Sequence, residues 1–387
     1  MNPTGRLWLD SASTTPLAVE VAEAMAPWLR AGAAGNPSSL HAEGRTARRA
    51  VEDVRDWFAE HFRVPRGQVH FTGSATEANN LALAGALRAL APGRPARPRV
   101  LASAIEHDSV RQCLAALARE NSIDVAWCAA GLDGAVDLTS AREMLGPGVA
   151  LASLMHVNNE TGAIQPIERW GEMIRAANPA AIVHCDAAQS FHRLDLPMEA
   201  ADLWVLCAHK MHGPPGAGVL IRCRPVELRA HTHGGPQEGG VRAGTENVAA
   251  IVGLGCAARL AVARRGETAA HLRALAGEFL GALRREGVRF EERIAPAVRA
   301  PGMLSLTFEG ISSEDLVIAA DLDGVSLSAG SACHSGVPEP SHVLAAMGIE
   351  GEVAGRTVRA VFHRDQTREE ARLAAERLAA ITRRAQE

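Results

Sequence analysis

Six short apolar runs recur through the middle of the chain, at 99–103, 123–128, 149–155, 181–185, 203–207 and 218–221, with helical stretches between most of them. Near-continuous apolar strands joined by helical crossovers specify a largely parallel sheet covered on both faces. Ahead of them, 45–62 reads as a helix, because Ala47, Ala50, Val51, Val54, Trp57, Phe58 and His61 fall on one side. A short strand is expected at 68–71, and T-G-S-A-T at 72–76 is a small-residue loop opening a helix over 76–90. After Thr245 the pattern changes. Two helical stretches, 246–263 and 267–286, lead to a smaller region with strands near 303–308 and 357–361 and helices near 313–321 and 366–384. A domain boundary is expected in the first of those two helices, and the Pro- and Gly-rich stretches 91–98 and 234–240 read as surface loops. With 387 residues there is room for two or three domains.

Several classes of function are excluded at once. Forty basic against 44 acidic residues give a net charge of −4, with no Lys/Arg-rich run, so direct nucleic-acid binding is not expected. Seven cysteines without a C-x-x-C pair make neither a disulfide framework nor a zinc knuckle. The first ten residues lack an apolar signal core, and the longest apolar stretch, 248–258, is too short to span a bilayer. A reducing, cytoplasmic setting without membrane contact is the expectation.

Lys210 is the only lysine, against 39 arginines, and tyrosine is absent. A GC-rich coding bias accounts for the depletion, yet it makes the surviving lysine a pointer. Arginine replaces lysine wherever charge alone matters, but not where a neutral amine must form an imine, because the guanidinium stays protonated. In a sheet of this kind ligands bind beyond the carboxyl ends of the strands. There the sequence places the 72–76 loop, an anion cradle or a plain capped turn; His107, a site group or a helix cap; Asn158 and Asn159; Asp186 with Gln189 three residues on; and His209 with Lys210. Together these are the parts a pyridoxal phosphate enzyme needs: a phosphate site, a group to stack on the ring, a partner for the pyridinium nitrogen and an imine-forming amine. A metal site is the rival reading. His209, His212, His231 and His233, with Cys207, are ligand types, but no acidic or cysteine-rich second cluster completes the spacing, so no metal is expected.

The motifs G-N-P-S-S-L-H at 35–41, A-T-E-A-N-N-L-A at 75–82, M-H-V-N-N-E-T-G-A-I-Q-P-I at 155–167, H-K-M-H-G-P from His209, R-A-G-T-E-N from Arg242 and G-S-A-C-H-S-G-V-P-E-P-S-H-V-L from Gly330 resemble the group I cysteine desulfurases of the class V aminotransferase family. The resemblance runs from Leu9 to about the C-terminus. It implies an α/β protein of the pyridoxal phosphate fold type I. A large domain with a mostly parallel sheet would occupy 16–255, and 1–15 with 256–387 would form a smaller α+β domain carrying the Cys333 loop. By the same resemblance Lys210 would hold pyridoxal 5′-phosphate through an imine. Asp186 would pair with the pyridinium nitrogen, Gln189 with the phenolic oxygen, and His107 would stack on the ring and assist proton transfer. Ala75, Thr76 and His209 would bind the phosphate, with Cys207 standing where the family has a serine and Thr245 contributed by the partner subunit of a homodimer. Asn158 and Arg359 would hold the substrate carboxylate. Cys333 would be the nucleophile that takes sulfur from L-cysteine as a persulfide, releases L-alanine, and passes the sulfur to an acceptor protein in iron–sulfur cluster assembly or a thiolation pathway.

The chain departs from the family pattern at Ser11, Ser13, Cys207, Pro236, Gly239 and His363. Two alternatives follow: another class V enzyme, such as a selenocysteine lyase, aminotransferase or racemase with a structural Cys333, or an inactive scaffold for sulfur-transfer partners. Chemistry alone asks for an accessible thiol that can ionise. Cys333 lies among small and polar residues, whereas Cys113, Cys128, Cys185, Cys223 and Cys256 sit in apolar or helical patterns.

Overall fold

The computed structural model describes residues 5–90, 97–329 and 341–386. Its central feature is a seven-stranded sheet in the order Val69–Thr72, Gly218–Arg222, Leu203–Cys207, Ile182–Asp186, Val149–Ser153, Arg99–Ser103, Asp124–Cys128. Only Gly218–Arg222 runs against the rest, pairing antiparallel with both of its neighbours. The other links, from Leu203–Cys207 out to Asp124–Cys128, are all parallel. The expected mostly parallel sheet is therefore present. Its strands are apolar on both faces because helices cover both faces: one core includes Leu101, Val183 and Leu206 with the helix Ala42–Phe62, and the other includes Val100, Leu151 and Val205 with the helices Ala75–Ala89 and Asp108–Arg119.

This register sets the functional edge. Thr72 lies opposite Gly218, and Gly218 opposite Cys207, so the ends of three strands stand side by side. Gly218 is required there. A Cβ at this position would come within 2.6 Å of the Ser74 carbonyl, so only glycine lets the turn after Thr72 fold over the reversed strand.

A second, smaller sheet takes the order Ser328–Ala329, Thr357–Val361, Met303–Phe308, Phe290–Glu292, all antiparallel, and Leu7–Trp8 pairs with Val325–Ser326. The two helical stretches expected over 246–286 are instead one continuous helix, Val248–Arg285, capped by the Asn247 side chain. Gly266 falls inside it without breaking it. An interior glycine costs about 1 kcal/mol relative to alanine, which packing along the rest of the helix outweighs. Ala250 to Ala261 pack into the core of the large sheet, and Leu272 to Leu283 into the core of the small one. The helix thus spans both cores.

The stretch 234–240 also departs from expectation. Most of it is exposed, but Glu238 is buried, and its carboxylate takes a two-pronged ion pair from Arg55 at 2.8 and 2.9 Å together with the Phe71 amide at 2.9 Å. Arg55 also donates to the Val69 carbonyl and lies over the Phe71 ring. A loop that merely covered surface would not bury a charge. This one closes over an arginine 183 positions earlier, and composition carries no signal of such a pair. Of the other expected loop, 91–96 lie outside the described residues. Because removal of one partner leaves the other charge buried and unpaired, Glu238→Gln should lower the unfolding free energy by about 3 kcal/mol in chemical denaturation. A loss within about 0.5 kcal/mol, the range of ordinary surface changes, would show that the pair does not anchor this loop.

Candidate active site

The segment 10–15 crosses the edge of the large sheet and organises what lies there through its main chain. Lys210 closes the 3₁₀ turn Ala208–Lys210 that follows the strand Leu203–Cys207. Its Nζ donates to the Ala12 carbonyl at 2.5 Å and the Ser13 carbonyl at 2.6 Å. The Gln189 amide donates to the same Ala12 carbonyl at 2.8 Å, so one acceptor holds both side chains within a few ångströms of each other. Thr15 fixes the segment to the lysine turn, donating from both its amide and its hydroxyl to the His209 carbonyl and accepting from the His212 amide. The departures at Ser11 and Ser13 therefore fall where backbone carbonyls, not side chains, meet the amine.

On the other side of the edge a hydrogen-bonded chain leads from Asp186 to His107. The carboxylate of Asp186 accepts from the Ala188 amide at 2.9 Å and from Asn79 Nδ2 at 2.7 Å. Since a carboxylate only accepts, Asn79 must present its NH₂ group here, and its second hydrogen goes to Ser109 Oγ at 2.8 Å. Asn79 Oδ1 then accepts a hydrogen bond from His184 Nε2–H at 3.0 Å, which leaves His184 Nδ1 to accept from Ser153 Oγ at 2.9 Å. Burial pushes the His184 imidazole down to about 4, with the Asp186 charge acting the other way, so the ring is neutral at pH 7. Ser109 Oγ, having accepted from Asn79, donates to His107 Nδ1 at 2.8 Å, and the Ser109 amide points to the same nitrogen at 3.1 Å. His107 Nδ1 thus acts as an acceptor, which places the proton of this tautomer on Nε2. His107 also caps the helix Asp108–Arg119, so the capping role and membership of this chain coexist.

Glu106, beside His107, is fully buried. Burial, reinforced by the Asp186 charge, pushes its carboxyl up to about 8. Oε1 accepts from the Met155 amide and Ser103 Oγ, and Oε2 has no partner. Glu106 is therefore protonated at pH 7, while the Asp186 carboxylate accepts from two donors.

The anion cradle forms where the helix Ala75–Ala89 begins. Ser74 Oγ caps it by accepting from the Glu77 amide at 3.1 Å, and the amides of Ala75 and Thr76 precede the first intrahelical bond. Burial alone would raise the Glu77 carboxyl, but the Arg242 guanidinium and the Gly73 amide outweigh it and hold it below its usual range. Glu77 and Arg242 were not singled out as site residues, although both lie inside quoted motifs. The signal was their pairing across 165 positions, which no local pattern carries. Burial pushes His209 down to about 4 and Cys207 up to about 12, so the ring is neutral and the thiol intact. Thr245 is exposed, and among the described residues its side chain has no hydrogen-bond partner.

Arg359, on the strand Thr357–Val361, is buried. It donates to Asp10 Oδ1 at 2.8 Å, to the Asn159 carbonyl at 2.9 Å and to Ser328 Oγ at 3.3 Å, and its Nε has no partner. Asn158 is engaged in its own turn. Its NH₂ donates to the Ile105 carbonyl and Met155 sulfur, and its oxygen accepts from the Glu160 and Thr161 amides and the Thr161 hydroxyl. Cys333 lies outside the described residues. The described chain stops at Ala329, next to Ser328, and resumes at Ser341, whose hydroxyl donates to Glu160 at 2.5 Å. Of the rival metal set, His231 and His233 are exposed, and His231 meets Arg88.

The residues present fit pyridoxal phosphate. Gln189 Oε1 is buried without a partner, the amine of Lys210 lies beside it, and a carboxylate, a histidine and a helix N-terminus surround the same strand ends. A family profile described as aminotransferase class-V matches residues 7–373. The chain is 36% identical to the putative cysteine desulfurase IscS 1 of Bacillus subtilis over 98% of its own length and 99% of the relative's. Among solved structures, a NifS-like protein superposes with a TM-score of 0.89 at 28% identity, covering 97% of this chain and 99% of that one. A structure described as SspA in complex with cysteine superposes at 0.78 and 30% identity, covering 93% of this chain and 99% of the other.

The neutral Glu106 has a consequence for stability. Its folded-state pKa lies above its ordinary value, so between about pH 4.5 and 8 the folded protein holds a proton that the unfolded chain releases, and stability falls as pH rises through that window. Relative to the wild type, Glu106→Gln should gain stability on going from pH 5 to pH 8 in urea unfolding. A difference that does not change with pH would show that Glu106 is ionised in the fold.

Proposed function

The chain belongs to the class V aminotransferase family, and from that membership we propose that it is a pyridoxal 5′-phosphate-dependent cysteine desulfurase, converting L-cysteine to L-alanine and passing the sulfur through Cys333 to an acceptor protein. What carries the reading is the convergence on one carbonyl: the only lysine and Gln189 both donate to Ala12, at the edge where Asp186 is linked to His107. Bound through Lys210, pyridoxal phosphate supplies an electron sink for the charge left when the substrate loses its Cα proton.

The chain's own residues then take these roles. Asp186, held by Asn79 and Ala188, carries the negative charge that keeps a pyridinium nitrogen protonated. Gln189 would hold the phenolic oxygen. His107, oriented by Ser109 and Asn79, would stack on the ring and assist proton transfer. The Ala75 and Thr76 amides, with His209, hold the phosphate, together with Thr245 of the partner subunit in a homodimer. Cys207 lines the same edge as an un-ionised thiol, a weaker donor than a hydroxyl. Arg359 binds the substrate carboxylate, its unpartnered Nε being the donor left for it, while Asp10 holds the guanidinium in place. Asn158, with its amide spent on its own turn, shapes the wall that presents the Asn159 carbonyl to Arg359. The Lys210 amine would be the group placed to accept the Cα proton.

The sulfur step needs a thiolate. Burial raises the pKa of each of the six described cysteines: Cys113 to about 11, Cys128, Cys207 and Cys223 to about 12, and Cys185 and Cys256 upward as well. All six are held as thiols at pH 7, and the family resemblance assigns the nucleophile to Cys333, whose thiol lies among small and polar residues. Its thiolate attacks the substrate sulfur, the substrate C–S bond breaks, and a persulfide remains on Cys333 as alanine leaves. Among the described residues no helix is long and apolar enough to cross a membrane, which is consistent with a cytoplasmic enzyme. Its acceptor would belong to iron–sulfur cluster assembly or a thiolation pathway, and no nucleic-acid or metal-binding role is assigned to the chain.

Cys333→Ala should lower sulfide release from L-cysteine at least ~100-fold while the protein still binds cofactor. Undiminished sulfide would exclude this nucleophile and leave a selenocysteine lyase or aminotransferase on the same scaffold. Borohydride reduction of the yellow holoprotein should leave a pyridoxyl group on the peptide containing Lys210. An unmodified Lys210 in reconstituted, reduced protein would overturn the cofactor assignment.

A further inference from the structure

Behind Thr15, away from the lysine amine, the chain encloses a cavity of about 10 Å³ lined by Thr15, His192, Arg193, His212, His363 and Arg364 among others. It lies where the large-sheet segments around 192 and 212 meet the small-sheet segment 362–364, beside the long helix at Ala261 and Leu272. That volume is about what one water-sized species needs.

The cavity wall holds buried nitrogen groups with nothing to bond. His192 is 7% exposed, and neither of its ring nitrogens has a partner. Arg193 is 2% exposed and donates to the Pro301 carbonyl at 2.6 Å and the Phe362 carbonyl at 3.4 Å, leaving Nε unpartnered. His363 Nδ1 and Arg364 Nε are unpartnered too, as is Nη2 of nearby Arg265. Among the described residues no carboxylate pairs with Arg193, whose charge is met only by neutral carbonyls. A buried guanidinium without a counter-charge costs several kcal/mol.

The other charged groups around the cavity do not remove this deficit. Arg265 is already paired with Asp195. Asp365 is more than half exposed and stands 3.4 Å from His212 Nδ1, 3.9 Å from His363 Nδ1 and 3.6 Å from Arg364 Nε. His212 Nδ1 already donates to the Pro16 carbonyl at 2.9 Å. The ligand atoms of His212, His363 and Asp365 lie close enough together to hold a metal ion. Arg193, Arg364 and Arg265, however, all act on His192, and burial followed by those charges holds it well below its ordinary pKa, whereas at His212 and His363 the arginine charges are opposed by Asp365, and at His363 by Glu370 as well. Beside His192, where no carboxylate among the described residues opposes them, such a field repels a cation and attracts an anion.

We propose that this cavity binds a single monatomic anion of chloride size, which serves as the buried counter-ion of Arg193 and takes hydrogen bonds from Arg193 Nε and His192. The ligand bridges segments that belong to the two cores and lies directly behind the 10–15 segment that positions Lys210. The site is separate from the proposed catalytic machinery, and its existence does not depend on the reaction.

Crystals of the holoprotein grown in sodium bromide test it directly, since bromide scatters anomalously and occupies chloride sites. A peak in contact with Arg193 and His192 is expected. In solution, Tm in 300 mM sodium chloride should exceed that in 300 mM sodium gluconate by about 2 °C, and His192→Phe, which removes the donors and fills the space, should abolish the difference. An ordered water with no anomalous signal would overturn the proposal, as would a peak from added zinc rather than bromide. A bromide peak without any chloride dependence of Tm would mark an adventitious ion and overturn it too.

Discussion

The buried charge of Asp186 orders the site. A carboxylate at the end of a central strand can only accept hydrogen bonds, and that constraint spreads outward residue by residue. It fixes which way the Asn79 amide faces, hence which nitrogen of His184 carries a proton, hence the direction of the Ser153 hydroxyl. Through Ser109 it also fixes the tautomer of His107. A ring several bonds away from the charge is thereby prepared with its free proton on the outward nitrogen. Burial makes the arrangement strict, because an amide turned the wrong way would oppose oxygen to oxygen where no water can intervene.

The fold deals with ionisable groups out of water in three different ways. Arg55 and Glu238 share a two-pronged pair that also takes up the Phe71 amide, so both charges persist. Glu106, with no cation to meet it, keeps its proton. Arg193 has neither solution among the described residues: burial lowers its pKa only to about 9, so it stays charged at pH 7 and meets only carbonyls, which is why a small anion belongs beside it. The same rule, that a buried charge must be matched or neutralised, explains all three outcomes.

Much of this was legible in advance. The strands Arg99–Ser103, Leu203–Cys207, Met303–Phe308 and Thr357–Val361 match the expected spans residue for residue, because apolar runs bounded by polar turns leave little freedom in where a buried strand ends. The strand-end reading pointed to Asp186, Gln189, His107 and Lys210, since in a parallel sheet those positions share one edge. What it did not reach were Asn79, Ser109 and His184, which join these residues, and the carbonyls of Ala12 and Ser13. A main-chain oxygen has no signature in a sequence, and Asn79 sits mid-helix in a position indistinguishable by period from its neighbours. The sequence reads as two helices, 246–263 and 267–286, where the structure has one, Val248–Arg285. Continuity came from the helix packing into two separate cores.

The sequence by itself determined the covalent chemistry on offer. It carries one amine able to form an imine, one cysteine in a small polar run, and strand ends carrying a carboxylate and a histidine, and residue types do not change on folding. Only the tertiary structure decided which protons sit where and which charges are matched. Those depend on burial and on partners drawn from distant parts of the chain: Ala12 with Lys210, Arg55 with Glu238, Asp10 with Arg359. Removal from water turns such pairings from weak preferences into requirements, and no sequence pattern records which groups will be removed together.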